Sequence, residues 1–416
     1  MVAAFSRRTL LGWTGAGAAV AGAGLAGYAV GSDATPAAAP PDAVVAFRGP
    51  YQAGITTPAQ DHLYFTALDL TSTSRADVQR TLAEWTEAAE RMTTGREVTE
   101  NGALPANPQV VPPDTGEALD LPAAALTVTV GFGPSFFDKL GLADRRPAGH
   151  ADLPAFARDR LDPTRSGGDL CIQACANDPQ VAVHAVRYLI RIGFGTTSVR
   201  WAQQGYGRTS STSEKQVTAR NLFGFKDGTH NLTAEEPALL DEHVWARPGD
   251  GPEWMAGGTY LVARRIRMQL ETWDRASLGE QEAIIGRAKG NGAPLGGVAE
   301  SDPPDLQAVD ANGTPLIPRN SHVRLASAES HNGARMLRRS FNFVDGVDGR
   351  GHLDAGLFFV CFVRNLQTQF VPVQRTLSAD DGMMDYLEHT GSAVFACPPG
   401  LRDGEYWGQR LLEGQA

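Results

Sequence analysis

Residues 64–85, YFTALDLTSTSRADVQRTLAEW, carry the pattern that decides the fold. The first seven residues alternate between apolar and polar, as in a β-strand with one buried face. Ser74 and Asp77 then form a capping pair that opens a helix. Apolar residues follow at helical spacing, at Val78, Leu82 and Trp85. The stretch therefore predicts a strand that leads directly into an amphipathic helix.

The same order recurs in two similar halves of the chain. Each half is expected to run strand, helix, strand, strand, helix, strand, which is the split βαβ unit of ferredoxin-like folds. In the first half, strands are predicted at 64–70, 125–133, 170–176 and 197–205, with a second helix from Pro179 to Ile192. In the second half, strands are predicted at 259–269, 335–344, 357–364 and 392–397, with helices at 278–289 and 374–389.

The predicted fold class is therefore α+β. We expect tandem ferredoxin-like (split βαβ) domains with antiparallel sheets, in an arrangement like that of a dimeric α+β barrel. The N-terminal domain is placed at 40–234 and the C-terminal domain at 259–416. Residues 235–258, rich in proline, glycine and acidic residues, are expected to link them.

The first 39 residues read as a Tat signal peptide. The motif SRRTLL at 6–11 is a twin-arginine pattern, an Ala/Gly-rich stretch follows, and small residues near Ala37 to Ala39 suit a cleavage site. The chain is therefore expected to be exported by the Tat route to the periplasm or outside the cell. An uncleaved N-terminal anchor of the same composition is the alternative.

Composition restricts the partners. The net charge of −10 disfavours nucleic acid and anionic lipid. No later stretch is apolar for long enough to span a bilayer, so no membrane partner is expected after signal cleavage.

Three sites in the second part of the chain could carry chemistry. Asp227 lies in GFKDGTHN at 224–231, His322 in NSHVRLA at 320–326, and Arg338 and Arg339 stand side by side. A haem peroxidase needs an axial histidine, a distal acid–base group and a fixed cation. Taken alone, each signal is weak, because an Asp-Gly pair is usually turn chemistry and the chain has nine histidines.

The motif GFKDG resembles the GxxDG motif of the dye-decolourising peroxidase family. The resemblance covers nearly the whole chain after residue 39, in order, and is closest to the exported EfeB-like branch. The matching segments are QAGITTPAQDHLYFTALDL (52–70), GGDLCIQACANDPQVAVHAVR (167–187), SHVRLA (321–326), MLRRSFNF (336–343) and GLFFVCF (356–362).

This resemblance implies one haem b per chain, bound by the C-terminal domain. His322 would be the axial ligand of the iron, and Asp227 the distal acid–base residue. Arg338 would be the distal arginine. Alternation along a strand sends neighbours to opposite faces, so only one of the pair would face the haem, and Arg339 is kept as the other choice. Glu282 and Asp354 are among the acids that could orient His322.

The same match places further residues around the haem. Gly228, Thr229 and His230 would run close to its edge, and Leu357 and Phe359 would pack on it. Ser327, Ala328 and Glu329 fall where relatives contact the propionates, although relatives often have Asn-Pro-Arg there. Arg287 or Arg335 would then have to supply the positive charge.

The implied function is that of a haem b peroxidase. It would reduce hydrogen peroxide and oxidise dyes, phenols or other bulky aromatic reductants in one-electron steps, best at acid pH since an aspartate base has a pKa near ~4. The alternative is a deferrochelatase-like protein that releases iron from haem, in contact with components of an iron-uptake system. A haem-free binding module is a third reading. A homodimer is compatible with each.

Overall fold

The computed structural model describes residues 42–100 and 102–414, so the predicted signal at 1–39 lies outside the described residues. Nine strands and nine helices are present in this part of the chain. The strands are His62–Leu70 (β1), Thr127–Phe132 (β2), Leu170–Ala176 (β3), Thr197–Arg208 (β4), Thr259–Met268 (β5), Leu337–Arg338 (β6), Phe341–Val347 (β7), Leu353–Val363 (β8) and Leu387–Cys397 (β9). The helices are Arg75–Met92 (α1), Pro134–Lys139 (α2), Pro179–Ile192 (α3), Pro237–His243 (α4), Leu270–Trp273 (α5), Leu278–Ile285 (α6), His322–Leu325 (α7), Val371–Asp380 (α8) and Gln409–Leu412 (α9).

All nine strands belong to one antiparallel sheet that closes on itself. Their order is β5-β9-β2-β3-β1-β4-β7-β8-β6, and β5 also pairs with β8. The first half contributes β2-β3-β1-β4. The second half, read in the opposite direction, contributes β7-β8-β5-β9. In both halves the order is therefore second, third, first and fourth strand, with β6 and β7 counted as one. The halves meet at two short seams, where Phe132 pairs with Ala396 and Tyr206 with Asn342. The predicted α+β class with antiparallel sheets is confirmed.

Alternation along the strands divides the apolar side chains between the two faces of the sheet. On β8, Phe358, Val360 and Phe362 pack inside the closed sheet with residues of both halves. On its other face, Leu357 packs with Ile266 and residues near α5 and α6. In the first half the outer face is covered by α1 and α3. The site described below lies on the outer face of the second half, and α7 and α8 carry part of it.

Three predicted elements differ from the structure. The helix expected at 278–289 ends at Ile285, because Gly286 takes a left-handed conformation with a φ of 89°. The strand expected at 335–344 is broken into β6 and β7, because the hydroxyl of Ser340 interrupts the ladder by accepting a hydrogen bond from the amide of Val360. The helix expected at 374–389 ends at Asp380, since Asp381 is extended and its carboxylate accepts from the amide of Met383. The remaining residues up to His389 begin β9 or precede it.

None of the helices in the described ranges is long and apolar enough to cross a membrane.

Candidate active site around Asp227, Arg338 and His322

Asp227 is held on a tightly built loop after β4. Its amide donates to the carbonyl of Ala219, at 3.2 Å, and Nδ2 of Asn221 donates to its carboxylate at 3.3 Å. Gly228 follows where the backbone passes Ser211 closely: a Cβ at this position would lie 2.8 Å from the Ser211 nitrogen. Any larger residue would push this loop away, so glycine is required by the close approach.

Arg338 reaches the same loop from β6. Its Nη1 donates to the carbonyl of Asp227 at 2.8 Å and its Nη2 to that of Thr229 at 2.9 Å. Nη1 also lies 3.6 Å from Oδ1 of Asp227. Both side chains are about one-fifth exposed, at 23% and 19%. A cation and a carboxylate thus stand side by side, each with an open edge.

Arg339 points the opposite way, as neighbours on a strand must. It is fully buried, and its guanidinium donates to the carbonyls of Thr57 and Pro58 and to the side chains of Gln60 and Thr212. Burial lowers the pKa of Arg339, although the thiol of Cys175 beside it acts in the other direction. Of the two arginines, Arg338 is therefore the one that contacts Asp227.

His322 is the first residue of α7, after Ser321 at the helix cap. Its Nδ1 lies 2.6 Å from Oδ2 of Asp381, whose side chain is buried. This geometry suits donation from Nδ1–H to the carboxylate, which leaves the lone pair on Nε2. The imidazole is 33% exposed. Burial alone would lower the pKa of His322, but Asp381 raises it overall, with a further contribution from Asp227 and an opposing one from Arg338.

The donor set fits a haem. An imidazole whose Nδ1 is held by a carboxylate is the usual form of a metal-binding histidine. Leu357, which is buried, and Phe359, which is half-buried, provide apolar surface from the outer face of β8.

The other expected contact residues lie on two loops. His230 has a φ of 55° and its Nε2 is 3.2 Å from the carbonyl of Asp302. Ser327 turns back on α7, its hydroxyl donating to the carbonyl of Arg324, and Ala328 follows it. Glu329 begins a short 3-10 helix and is exposed.

Two arginines were expected near the propionates. Arg335 is exposed and its carbonyl accepts from Gln369. Arg287 is buried and donates to the carbonyls of Gly292 and Glu300. Arg287 is thus already engaged by backbone oxygens, whereas Arg335 stands at the surface.

Several supporting residues could not be read from the sequence. His322 contacts Asp381 and not Glu282 or Asp354. Glu282 accepts instead from the amide of Lys289, and Asp354 pairs with Arg265. Asn231 was also missed.

Asn231 fixes the strand of the arginine, since its side chain accepts from the amide of Arg338 and donates to the carbonyl, both at 2.8 Å. Its position four residues after Asp227 was the signal that could have found it.

A cavity of about 620 Å³ lies outside this site, lined among others by His243, Tyr260 and Arg364. It contains none of Asp227, His322 or Arg338. The contact of Asp227 with Arg338 and the carboxylate-held imidazole of His322 are stronger indicators of an active site than this cavity, so these residues form the candidate site.

Comparisons with known proteins show the family to which the chain belongs. Residues 52–207 match the N-terminal model of Dyp-type peroxidases and residues 218–402 the C-terminal model. The chain is 40% identical to a dye-decolorizing peroxidase of Thermobifida fusca, over 98% of this chain and 97% of the relative. It is 36% identical to the deferrochelatase of Escherichia coli strain K12, again over 98% and 97%.

Solved structures agree. Ferric DtpA from Streptomyces lividans is 40% identical with a TM-score of 0.83, covering 90% of this chain and 98% of that one. A DyP-type peroxidase from Cellulomonas bogoriensis is 44% identical with a TM-score of 0.82, covering 91% and 100%. This chain belongs to the Dyp-type peroxidase family and is a haem-dependent peroxidase.

Proposed function

We propose that this peroxidase binds haem b through Nε2 of His322 and uses Asp227 and Arg338 on the opposite side to cleave hydrogen peroxide. The observation that carries the proposal is the contact of Arg338 with the Asp227 loop, 2.8 Å to the carbonyl and 3.6 Å to the carboxylate. It supplies an acid–base group and a cation at one place.

Each residue has a separate task. The carboxylate of Asp227 accepts the proton of the incoming peroxide and returns it to the oxygen that leaves as water. Arg338 stabilises the negative charge that develops on that oxygen. Asp381 holds Nδ1–H of His322, which would leave Nε2 to bind the haem iron. When bound, the haem supplies the redox chemistry, accepting two oxidising equivalents from peroxide and passing them on singly.

We propose the same contacts around the haem that the resemblance implies. Gly228, Thr229 and His230 would run along one edge, and Leu357 and Phe359 would cover one face. Ser327, Ala328 and Glu329 would lie at the propionates. Since Glu329 repels a carboxylate, we assign the compensating charge to Arg335, which is exposed, in preference to the engaged Arg287.

The reductants are proposed to be dyes, phenols or other bulky aromatic molecules, as the name of the Thermobifida fusca relative suggests. The test is peroxide-dependent oxidation of an aromatic dye by the haem-loaded protein, with haem recovered intact. The haem-free protein should show no such activity, and a haem-loaded protein that leaves the dye unchanged would contradict the assignment.

Release of iron from haem is the second candidate, favoured by the deferrochelatases at 36% identity. It would use the same pocket with haem as the substrate and would connect the protein to iron-uptake components. The two functions differ in their product. Recovery of metal-free protoporphyrin after incubation with haem would support this candidate, and intact haem after many peroxide turnovers would exclude it.

Export and domain structure complete the proposal. The twin-arginine motif at 6–11 suits export by Tat to the periplasm or beyond, which would be checked by locating the protein in a strain without that route. The shared strand order supports two ferredoxin-like units, at 40–234 and 259–416, joined by a linker at 235–258. A homodimer is proposed as well, for which the molar mass in solution is the test.

A further inference from the structure

The carboxylate of Glu300 accepts hydrogen bonds from two residues of the loop that carries Asp227. Oε2 of Glu300 accepts from Nζ of Lys226, and Oε1 accepts from the hydroxyl of Thr229 at 3.0 Å. Lys226 precedes Asp227 and Thr229 follows it by two residues. A single side chain therefore holds both sides of the acid.

Glu300 is itself fixed in place. Its carbonyl accepts from Nη1 of Arg287 at 3.1 Å, and Arg287 is buried. Its side chain is only 23% exposed. Burial alone would raise the pKa of Glu300, but hydrogen bonds from Lys226, Thr218 and Thr229 lower it overall. The carboxylate is thus held in its ionised, hydrogen-bond-accepting form.

The loop of Glu300 packs tightly on the same segment at other points. A Cβ on Gly292, whose φ is 79°, would lie 2.8 Å from Cδ of Lys226 and 3.4 Å from Cγ of Glu300. The guanidinium of Arg220 donates to the carbonyls of Lys289 and Gly290, at 2.7 and 2.8 Å. The two loops therefore contact each other at several points.

We propose that Glu300 is a positioning residue for Asp227, holding the acid beside Arg338 through Lys226 and Thr229. The inference rests on the proposed role of Asp227. Arg338 contacts the loop from inside, through the carbonyls of Asp227 and Thr229, and Glu300 contacts it from outside. Thr229 contacts both residues, since its carbonyl accepts from Arg338 and its hydroxyl donates to Glu300.

The test compares Glu300→Ala with a matched control. Glu405→Ala removes a carboxylate of similar exposure, 21% against 23%, that also accepts from a basic side chain, Arg410, but lies outside the site. Haem-loaded Glu300→Ala should react with peroxide about 10- to 100-fold more slowly, as expected for a misplaced catalytic group. Glu405→Ala should react at the wild-type rate.

A second comparison separates positioning from general support. In an Asp227→Asn background, Glu300→Ala should cause no further slowing, because the group it positions is already gone. Hydrogen exchange of residues 224–231 should be faster in Glu300→Ala than in wild type, and unchanged in Glu405→Ala. If Glu300→Ala does not fold, Lys226→Met replaces it, because this change removes one of the hydrogen bonds to the Glu300 carboxylate. It should also slow the peroxide reaction and speed hydrogen exchange of residues 224–231.

Two outcomes would overturn the proposal: wild-type peroxide reactivity in Glu300→Ala, or an equal further slowing when it is added to Asp227→Asn. Either is distinguishable from failure of the proposed function, in which Asp227→Asn alone would react at the wild-type rate.

Discussion

His184 in the first half and His322 in the second half both lie against carboxylates, but their environments differ. His184 sits on α3, with Nδ1 3.0 Å from Oε2 of Glu117 and Nε2 3.6 Å from Oδ1 of Asp114. Both ring nitrogens face acids. His322 has its Nδ1 at Asp381, and within the described residues no hydrogen bond is made to its Nε2.

Exposure and pKa follow this difference. The side chain of His184 is 6% exposed and that of His322 33%. Burial lowers the pKa of His184 more than Asp114 raises it, whereas Asp381 outweighs burial at His322.

The acids differ as well. Oxygens of Asp114 already accept from the amides of Val98 and Gly116, and Glu117 pairs with Arg187, so the first cluster ties a long loop to α3. Asp114, Glu117 and His184 lie close enough together to hold a metal ion, so a histidine among acids does not by itself indicate a haem ligand. A nitrogen that is not committed to an acid, on a side chain with an open edge, is what distinguishes His322.

The largest expected effect concerns the acid. Asp227→Asn keeps the size of the side chain but removes the base, so the rate of the peroxide reaction should fall by about 10²- to 10⁴-fold. Stopped-flow absorbance of the ferric protein measures it. Glu117→Gln, which changes an acid of the other cluster, should leave the rate unaltered, and a comparable loss there would argue against the distinction drawn above.

Next is the arginine pair. Arg338→Leu should slow the peroxide reaction by about 10²- to 10³-fold, because a charge-stabilising donor is lost. Its effect on stability should be smaller than that of Arg339→Leu, since the carbonyls of Asp227 and Thr229 that lose a donor are only partly buried. Arg339→Leu should do the reverse. It leaves the buried side-chain oxygens of Gln60 and Thr212 without this donor, at about 1–3 kcal/mol each in the free energy of unfolding. Denaturant unfolding and stopped flow on both variants would expose an interchange of roles.

A smaller effect is expected at the acid behind the axial histidine. Asp381→Asn should weaken haem affinity by about 10- to 100-fold, as is typical when the partner of a ligating histidine is changed. Titration of the haem-free protein with haem gives the value. Asp114→Asn, the equivalent change beside His184, should bind haem as wild type does; equal losses in both would remove the contrast between the clusters.

The smallest effect is on pH-dependent stability. Since the pKa of His184 is lowered in the folded protein, the unfolded chain binds the proton more readily, and stability should fall as pH drops below about 6.5. His184→Gln should remove this part of the slope. Unfolding of both proteins between pH 7 and pH 5 is the measurement, and identical slopes would show that His184 does not contribute.

The regular elements were largely predictable because their periodicity is local. The strand at 170–176 and the helix from Pro179 to Ile192 were predicted with the bounds observed, and Asp178 caps that helix through its side chain. The break between β6 and β7 could not be read from the sequence, as it depends on a side-chain hydrogen bond from another strand.

The residues that support the site were harder to predict than those that carry its chemistry. Asp227, His322 and Arg338 came from a resemblance across aligned segments. Asp381 and Glu300 lie on irregular segments, where only the folded chain determines what a carboxylate touches. An Asp-Gly pair at 381–382 looks like turn chemistry in any sequence.

The role of His322 as the iron ligand is tested most directly by the visible absorption spectrum of haem-reconstituted His322→Ala beside that of His184→Ala. We expect His184→Ala to show the wild-type Soret band and His322→Ala to lose its histidine-ligated spectrum, with recovery when imidazole is added. An unchanged spectrum in His322→Ala, or loss of the band in His184→Ala, would contradict the assignment of the iron to His322.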